Sequence, residues 1–509
     1  MAASNGVDAP RIAEMVEEAR KTFESGKTRP LEWRLTQLSA LKKAMEENKD
    51  RVMEALKKDL GRSVATTLLT DYCDTIAQIK YCRENVHKWM QSEHVPAPLL
   101  QRPLAFRVMK EPMGVVAIFG TWNFPLSILI PPLAGAIAAG NAAIVKPSEL
   151  AAHCEKLVVD LVAAYLDTDA IKVIPGGIPE ATALLEQKFD KIMYTGNGKV
   201  ARIVAAAAAK HLTPTTLELG GQCPLYVDKS ANLQVTARRM VSNKLINMGQ
   251  ICLAPNHALV HAEVWDEFLK ITLQQLEKLY PGDKLKNKDL CRIVNLQHTD
   301  RLKAMLEEDH GGKLLCGGTV HRDDKFIDPT IVLEPKRDSK MMQEEIFGPI
   351  LPVFKVSGLD EVEAFVGKEN IPLAAYVCAE DKAVSEAFLQ RIPSGGACVN
   401  DMVIHLTCNE APFGGKGESG TGAYRGRYSF ENFTHRKTVA LQTTKSDPQL
   451  RYPPYSEKKV QILSTVLSGE SPFPAWVMPA AVALGVAAVA AIVCFLCSHV
   501  SVQFVVSFH

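Results

Sequence analysis

The sequence lacks the marks of several large functional classes. It contains no HExxH, no GxSxG and no spaced Cys/His quartet, so metalloprotease, serine-hydrolase and zinc-finger readings have no support and no metal site is expected. Its 58 basic residues nearly cancel its 57 acidic ones, and no long Lys/Arg run appears. The electrostatic footprint of a nucleic-acid binder is therefore missing, and a neutral or small anionic ligand fits better. The N-terminus MAASNGVDAPRI has no basic-then-apolar signal, and the 12 cysteines follow no regular spacing, which together point to a reducing, cytosol-facing environment. The CxxC of Cys494 and Cys497 lies in an apolar run without a second ligand pair, so ordinary thiols are expected there. No internal repeat is evident.

What is present is an ordinary globular composition, 47% hydrophobic and 23% charged over 509 residues, enough for two or three packed domains. Residues 10–100 read mostly as polar amphipathic helices such as RLTQLSALKKAMEENKDRVMEALKKDL. The rhythm then changes. Short apolar runs VVAIFG, AAIVKP, IKVIPGG, KIMYTG and TTLELGG alternate with helical segments such as EKLVVDLVAAYL and VARIVAAAAAKHL, which predicts an α/β architecture built on a doubly wound parallel sheet. The runs HALVHA, ILPVFKV, AAYVCA and GGACVN suggest a second α/β domain. Residues 441–474, rich in Pro, Ser and Lys, read as a linker. From Ala475 to Cys497 no charge occurs, and as a helix this run would reach roughly 34 Å against about 30 Å of bilayer hydrocarbon. It is expected to be a C-terminal membrane anchor that leaves the body of the protein in the cytosol.

Ligands of doubly wound sheets bind where strands end and helices begin, so polar residues at those junctions come first. GTWNFPL places Asn123 after the first strand, where its amide can donate to a developing oxyanion. AAIVKPSEL places Lys146, Ser148 and Glu149 at the second; the lysine and the glutamate could meet ribose hydroxyls, although helix capping by itself accounts for Glu149. YTGNGKV sets Gly196, Asn197 and Gly198 ahead of a helix, where free N–H groups and the helix dipole can meet a phosphate. TTLELGGQCP ends a strand in Glu218, and NMGQICLAP presents Cys252. A carboxylate able to activate water and a thiol able to form a covalent intermediate are the pair that oxidative acyl chemistry needs. QEEIFGPILP offers Glu345 to ribose hydroxyls and Phe347 to a flat ring. The glycines of FGGKGESGTGAYRG match neither a P-loop nor a strand-to-helix GxGxxG, so a bent structural loop is expected.

In this order, GTWNFP, IVKPSE, YTGN, LELGG, GQIC, EEIFGP and PFGGKGESG resemble the motifs of the aldehyde dehydrogenase superfamily over residues 10–440. The phrase AAAKHLTPTTLELGG and the apolar C-terminus look most like its class 3 group, and within it like the membrane-anchored fatty aldehyde dehydrogenases. The resemblance implies a dinucleotide-binding domain (1–217, with part of a bridging arm near 90–112), a catalytic domain (218–407), a bridging or oligomerisation segment (408–440), the linker and the anchor (475–497), assembled as a homodimer. It further implies Cys252 as nucleophile, Glu218 as general base and Asn123 as oxyanion donor. Trp122, Lys146, Ser148, Glu149, Gly196, Gly198, Glu345 and Phe347 would hold NAD or NADP. A medium or long-chain fatty aldehyde is the expected substrate, an isoprenoid or apocarotenoid aldehyde its rival, and the endoplasmic reticulum the expected membrane.

Two departures bear on that expectation. Where relatives commonly have GxTxxG, this chain reads Gly196 to Ala201 as GNGKVA, with Lys199 near the expected phosphates; where they often have ELGGK, it has Gln222 followed by Cys223. The first motivates a rival reading as a membrane-tethered pseudoenzyme, and the second removes a positive charge beside the base. An acylating enzyme that passes the thioester to coenzyme A is ranked lower because Glu218 is retained. Glu149 is expected to repel a 2′-phosphate and favour NAD, with Lys199 as an offsetting cation.

Overall fold

The computed structural model describes residues 6–97, 104–367, 369–445, 447 and 449–468. Two compact units are present, one of residues 6–92 and 109–437, the other of the described residues in 93–108 and 438–468. The expected anchor at 475–497 lies outside the described residues. Among the described residues no helix is long and apolar enough to cross a membrane.

The first unit carries two sheets. The strands Val115–Phe119, Ala142–Lys146 and Ile171–Val173 step outward in one direction, and Lys191–Thr195 and Thr215–Glu218 step outward in the other, all in parallel register. The order reverses between Val115–Phe119 and Lys191–Thr195, which leaves a crevice at the carboxyl ends of those two strands. The interiors of the three central strands, Val115–Phe119, Ala142–Lys146 and Lys191–Thr195, are apolar and buried on both faces, as a sheet covered by helices requires. The covering helix Ile130–Ala139 is buried on every side, and it can be, because its small residues admit close neighbours. A Cβ on Gly135 would lie 2.5 Å from the Cβ of Ser429, so the helix Gly426–Asn432 packs there almost backbone to backbone.

The second sheet has seven strands: Lys313–Cys316, Thr330–Leu333, Ile350–Val356, His257–His261, Pro224–Val227, Ala374–Cys378 and Gly396–Val399 in spatial order. It is parallel except for its first, edge strand. The runs HALVHA, ILPVFKV, AAYVCA and GGACVN all become strands of this sheet. The glycine-rich segment after Pro412 is a bent loop, as expected, and it also adds a strand: Gly420–Thr421 pairs antiparallel with Leu217 and Glu218 at the edge of the first sheet. A three-stranded sheet is formed by Glu93–Val95, Ala105–Pro112 and Thr434–Leu441. Within the stretch read as a linker, Glu457–Ser468 is helical.

Candidate active site

A cleft of about 550 Å³ opens at the carboxyl ends of the first sheet's strands. Its wall includes Trp122, Asn123, Lys146, Ser148, Glu149, Gly196, Glu218, Cys252, Glu345 and Phe347, so the structure brings together every expected site residue except Gly198.

Glu218 ends its strand and is 2% exposed, and neither carboxylate oxygen has a hydrogen-bond partner. A buried charge without partners is expensive, so burial drives this carboxyl well above its ordinary pKa. Cys252 faces the same cleft and is partly exposed, at the end of a turn in which Asn247, Met248 and Gly249 all take left-handed backbone angles. Burial, then the neighbouring Glu345, Cys223 and Glu218, raise its thiol well above the usual value. Burial thus favours the neutral form of both groups. Since an unperturbed cysteine is already only about 3% thiolate at neutral pH, activity is expected to climb with pH and reach half its limit above about 8.5. Initial kcat/KM measured from about pH 6 to pH 10 checks this, a plateau already reached below neutrality being the contrary result.

Asn123 is 3% exposed. Its Oδ1 accepts from the Thr121 hydroxyl at 2.6 Å and its Nδ2 donates to the carbonyl of Gln250 at 3.0 Å, which fixes the amide orientation and leaves one N–H for a ligand in the cleft.

The rest of the cleft wall is built by different means. Lys146 is buried, and its ammonium donates to the carbonyls of Pro147 and Gly176, which turn it along the cleft wall; burial lowers its pKa. Ser148 caps the short helix Glu149–Ala151, and the Glu149 carboxylate is partly exposed, 4.0 Å from the Lys146 ammonium. Phe347, with φ 49°, meets Trp122 edge-on at 5.4 Å, and Trp122 in turn lies 5.2 Å from His298. Glu345 is pushed up to about 7 by burial, against the pull of the Gly221 N–H, Arg301 and Lys244.

Gln222, which follows LELGG where a lysine is expected by resemblance, donates from Nε2 to the carbonyls of Met342 (2.7 Å) and Glu344 (2.8 Å). The positive charge is absent, and in its place the amide ties down the turn that carries Glu345 and Phe347.

The glycine turn after Lys191–Thr195 differs from expectation. The Gly196 N–H is not free: it donates to the carbonyl of Glu218 at 3.0 Å, extending the ladder between the strands. Asn197 caps the helix Gly198–Ala209 by accepting from the Val200 N–H, and Gly198 begins that helix without lining the cleft. Lys199 is exposed and likewise off the cleft wall. Ala201 is 2% exposed and packs into the core with Val204 and Ala208, so its methyl intrudes on nothing in the cleft.

Several lining residues carry no motif. His298 and Arg301 come from the helix Leu296–Glu307, where the Arg301 guanidinium donates to the carbonyls of Glu345 and Ile346. Ile178, Ala181 and Leu185 on one helix face Val200 and Val204 on the next and form an apolar slot. A slot for one flat ring, the half-exposed Glu149 carboxylate for hydroxyls and an aromatic cluster beside Cys252 for a second ring fit a dinucleotide.

Comparison with known proteins agrees with that fit. Residues 1–439 match the aldehyde dehydrogenase family. The chain belongs to that family. It is 41% identical to aldehyde dehydrogenase family 3 member I1, chloroplastic, of Arabidopsis thaliana over 89% of this chain and 83% of that protein. It is 39% identical to the dimeric NADP-preferring aldehyde dehydrogenase of Canis lupus familiaris over 87% of this chain and 98% of that one. The solved substrate-bound state of Staphylococcus aureus AldH superposes with a TM-score of 0.86 at 36% identity, covering 89% of this chain and 98% of that one. The chain is thus an aldehyde dehydrogenase with class 3 relatives, an oxidoreductase that uses NAD or NADP.

Proposed function

We propose that this aldehyde dehydrogenase oxidises medium or long-chain fatty aldehydes to carboxylic acids through a thioester on Cys252. The observation that carries the chemistry is the buried, unpartnered Glu218 carboxyl in the same cleft as the Cys252 thiol. Glu218 has no other bond to make, so it is available first to the thiol proton and later to a water. Cys252 adds to the aldehyde carbon as its proton passes to the carboxylate form of Glu218. The Asn123 amide and the Cys252 N–H receive the oxygen of the thiohemiacetal. NAD or NADP, when bound, supplies the acceptor for the hydride that leaves that carbon. Glu218 releases that proton to solvent and, as the carboxylate, takes one from water as that water attacks the thioester; the Cys252 sulfur leaves, regains the proton from Glu218, and the acid is released.

Trp122 and Phe347 flank the reacting end of the cofactor, with Glu345 on a ribose, while Lys146, Ser148 and Glu149 hold its other half beside Gly196. The Glu149 carboxylate disfavours a 2′-phosphate, and Lys199, the expected offsetting cation, is off the cleft wall, so NAD is the favoured cofactor. A homodimer is supported by the canine relative, which is described as dimeric.

The substrate proposal rests on the charge-free run from Ala475 to Cys497, which would hold the catalytic body at a membrane, the endoplasmic reticulum by resemblance, where lipophilic aldehydes partition. Saturated aldehydes of about two to eighteen carbons are the test. Each buried methylene contributes about 0.8 kcal/mol, so kcat/KM should rise roughly fourfold per carbon before levelling off. A preference for the shortest aldehydes would overturn the fatty substrate, and a preference for branched, conjugated ones would favour the isoprenoid or apocarotenoid rival. Fractionation of cells expressing the full chain and one ending at Glu470 tests the anchor: only the full chain should sediment with membranes.

A further inference from the structure

One buried guanidinium joins the two halves of the reacting centre. Arg62 is 1% exposed and follows the helix Lys49–Leu60, remote in sequence from every motif named above. Its Nη2 donates to the carbonyl of Asn123, its Nε donates to Oδ1 of Asn247 at 3.0 Å, and its Nη1 donates to the carboxylate of Asp71. The guanidinium carbon lies 4.5 Å from the centre of the Phe124 ring. Asp71 is fully buried and sits in a π-helical turn, Leu68–Tyr72. Its Oδ1 accepts from the N–H of Ser127 at 2.9 Å and of Leu126 at 3.3 Å, which anchors the segment that follows Asn123. Such single-turn π segments occur frequently at functional sites.

Asn247 is the other end of the clamp. With Met248 and Gly249 it forms a run of left-handed residues, φ 50°, 54° and 73°, directly before the turn of Cys252. Two successive left-handed residues other than glycine are strained and persist only where the surroundings hold them. The holding is done by the Asn247 side chain, whose Nδ2 donates to the carbonyls of Asn123 (2.9 Å) and Gln250 (3.1 Å) while its Oδ1 receives Arg62. The carbonyl of Gln250 also receives the Asn123 amide. Asn123 and the strained turn before Cys252 are therefore held through the same few atoms, all of them out of water.

We propose that Arg62, anchored by Asp71, is a positioning residue that sets the Asn123 amide and the Cys252 turn in their working relation. Its three donors in one plane make contacts that a lysine ammonium cannot reproduce together. The proposal rests on the roles given above to Cys252 and Asn123.

The test is steady-state kinetics of the full chain carrying Arg62→Lys and, separately, Asn247→Gly. The first keeps a cation against Asp71 but loses the fork. The second accepts the left-handed backbone without strain but lacks the amide. Arg62→Lys is expected to lower kcat about a hundredfold with KM for the aldehyde within about threefold, the scale of a misplacement near 1 Å. NAD binding, followed by intrinsic fluorescence without aldehyde, should stay within about twofold, because Arg62 itself does not line the cleft and meets it only through the carbonyl of Asn123. Asn247→Gly should move kcat in the same direction by about tenfold or more. Both variants retaining kcat within about threefold would overturn the proposal. So would the failure of both to fold, which would make the network a support of the fold alone. Cys252→Ser is measured alongside: if it stays active the nucleophile reading falls and takes the clamp with it, whereas an inactive Cys252→Ser beside an active Arg62→Lys removes only the clamp.

Discussion

Glu218→Gln is expected to yield one equivalent of reduced cofactor per active site and then nearly stop. The carboxyl is buried with both oxygens unpartnered, so the isosteric amide replaces it without breaking any bond and the fold should be unaffected. What disappears is, among the described residues, the only acid of the cleft that is both buried and free of partners. The thiol can still lose its proton to solvent at alkaline pH, so the first half of the reaction, as far as the thioester, should survive there. Hydrolysis loses the base assigned to it. A positioned general base contributes about 10²- to 10⁴-fold, roughly 3–5 kcal/mol, and the steady-state rate should fall by that amount. Stopped-flow absorbance of NADH or NADPH measures both phases. A steady rate near that of the parent would mean that water is activated elsewhere, and loss of the burst at every pH would mean that Glu218 is needed before the thioester forms.

The second large effect is expected at the thiol. Cys252→Ser should lower turnover by at least about a thousandfold at every pH, because a hydroxyl is a far weaker nucleophile than a thiolate and a serine ester a different intermediate. The variant should bind cofactor normally, since Trp122, Lys146, Glu149 and Phe347 do not touch the sulfur for their positions: Lys146 is set by the carbonyls of Pro147 and Gly176, and Phe347 packs on Trp122. Cys223 cannot replace it. That thiol is fully buried, is pushed up to about 12 by burial and spends its hydrogen on the carbonyl of Cys252. Residual activity above about a hundredth of the parent's, reproduced in Cys252→Ala, would place the nucleophile elsewhere.

Much of the first sheet was legible in the sequence because its strands are short apolar runs broken by turn residues, and the polar residues at their ends stand out against them. Asn123, Lys146 and Glu218 each stand where such a strand stops, and the structure brings their side chains into one cleft. Gly196 reaches the cleft as well, but its N–H is committed to the sheet, which depends on a strand partner far along the chain and has no local signal. Ala201 reads as a departure from a glycine motif, yet its position one turn into a helix turns the methyl into the core, which removes the motive for a pseudoenzyme. His298 and Arg301 were not legible because they come from an amphipathic helix with no pattern of its own, and only tertiary packing carries them to the cleft. Gln222 shows the converse. Read in the sequence it is a missing charge, and in the structure it is a pair of hydrogen bonds to the turn that bears Glu345.

The most direct test is mass spectrometry of Glu218→Gln quenched in acid after a single turnover with a long-chain aldehyde and NAD. A thioester on Cys252 predicts an added acyl mass on the peptide that contains Cys252, released by hydroxylamine and absent without NAD. Turnover without any acyl adduct, or an adduct on a different cysteine, would contradict it.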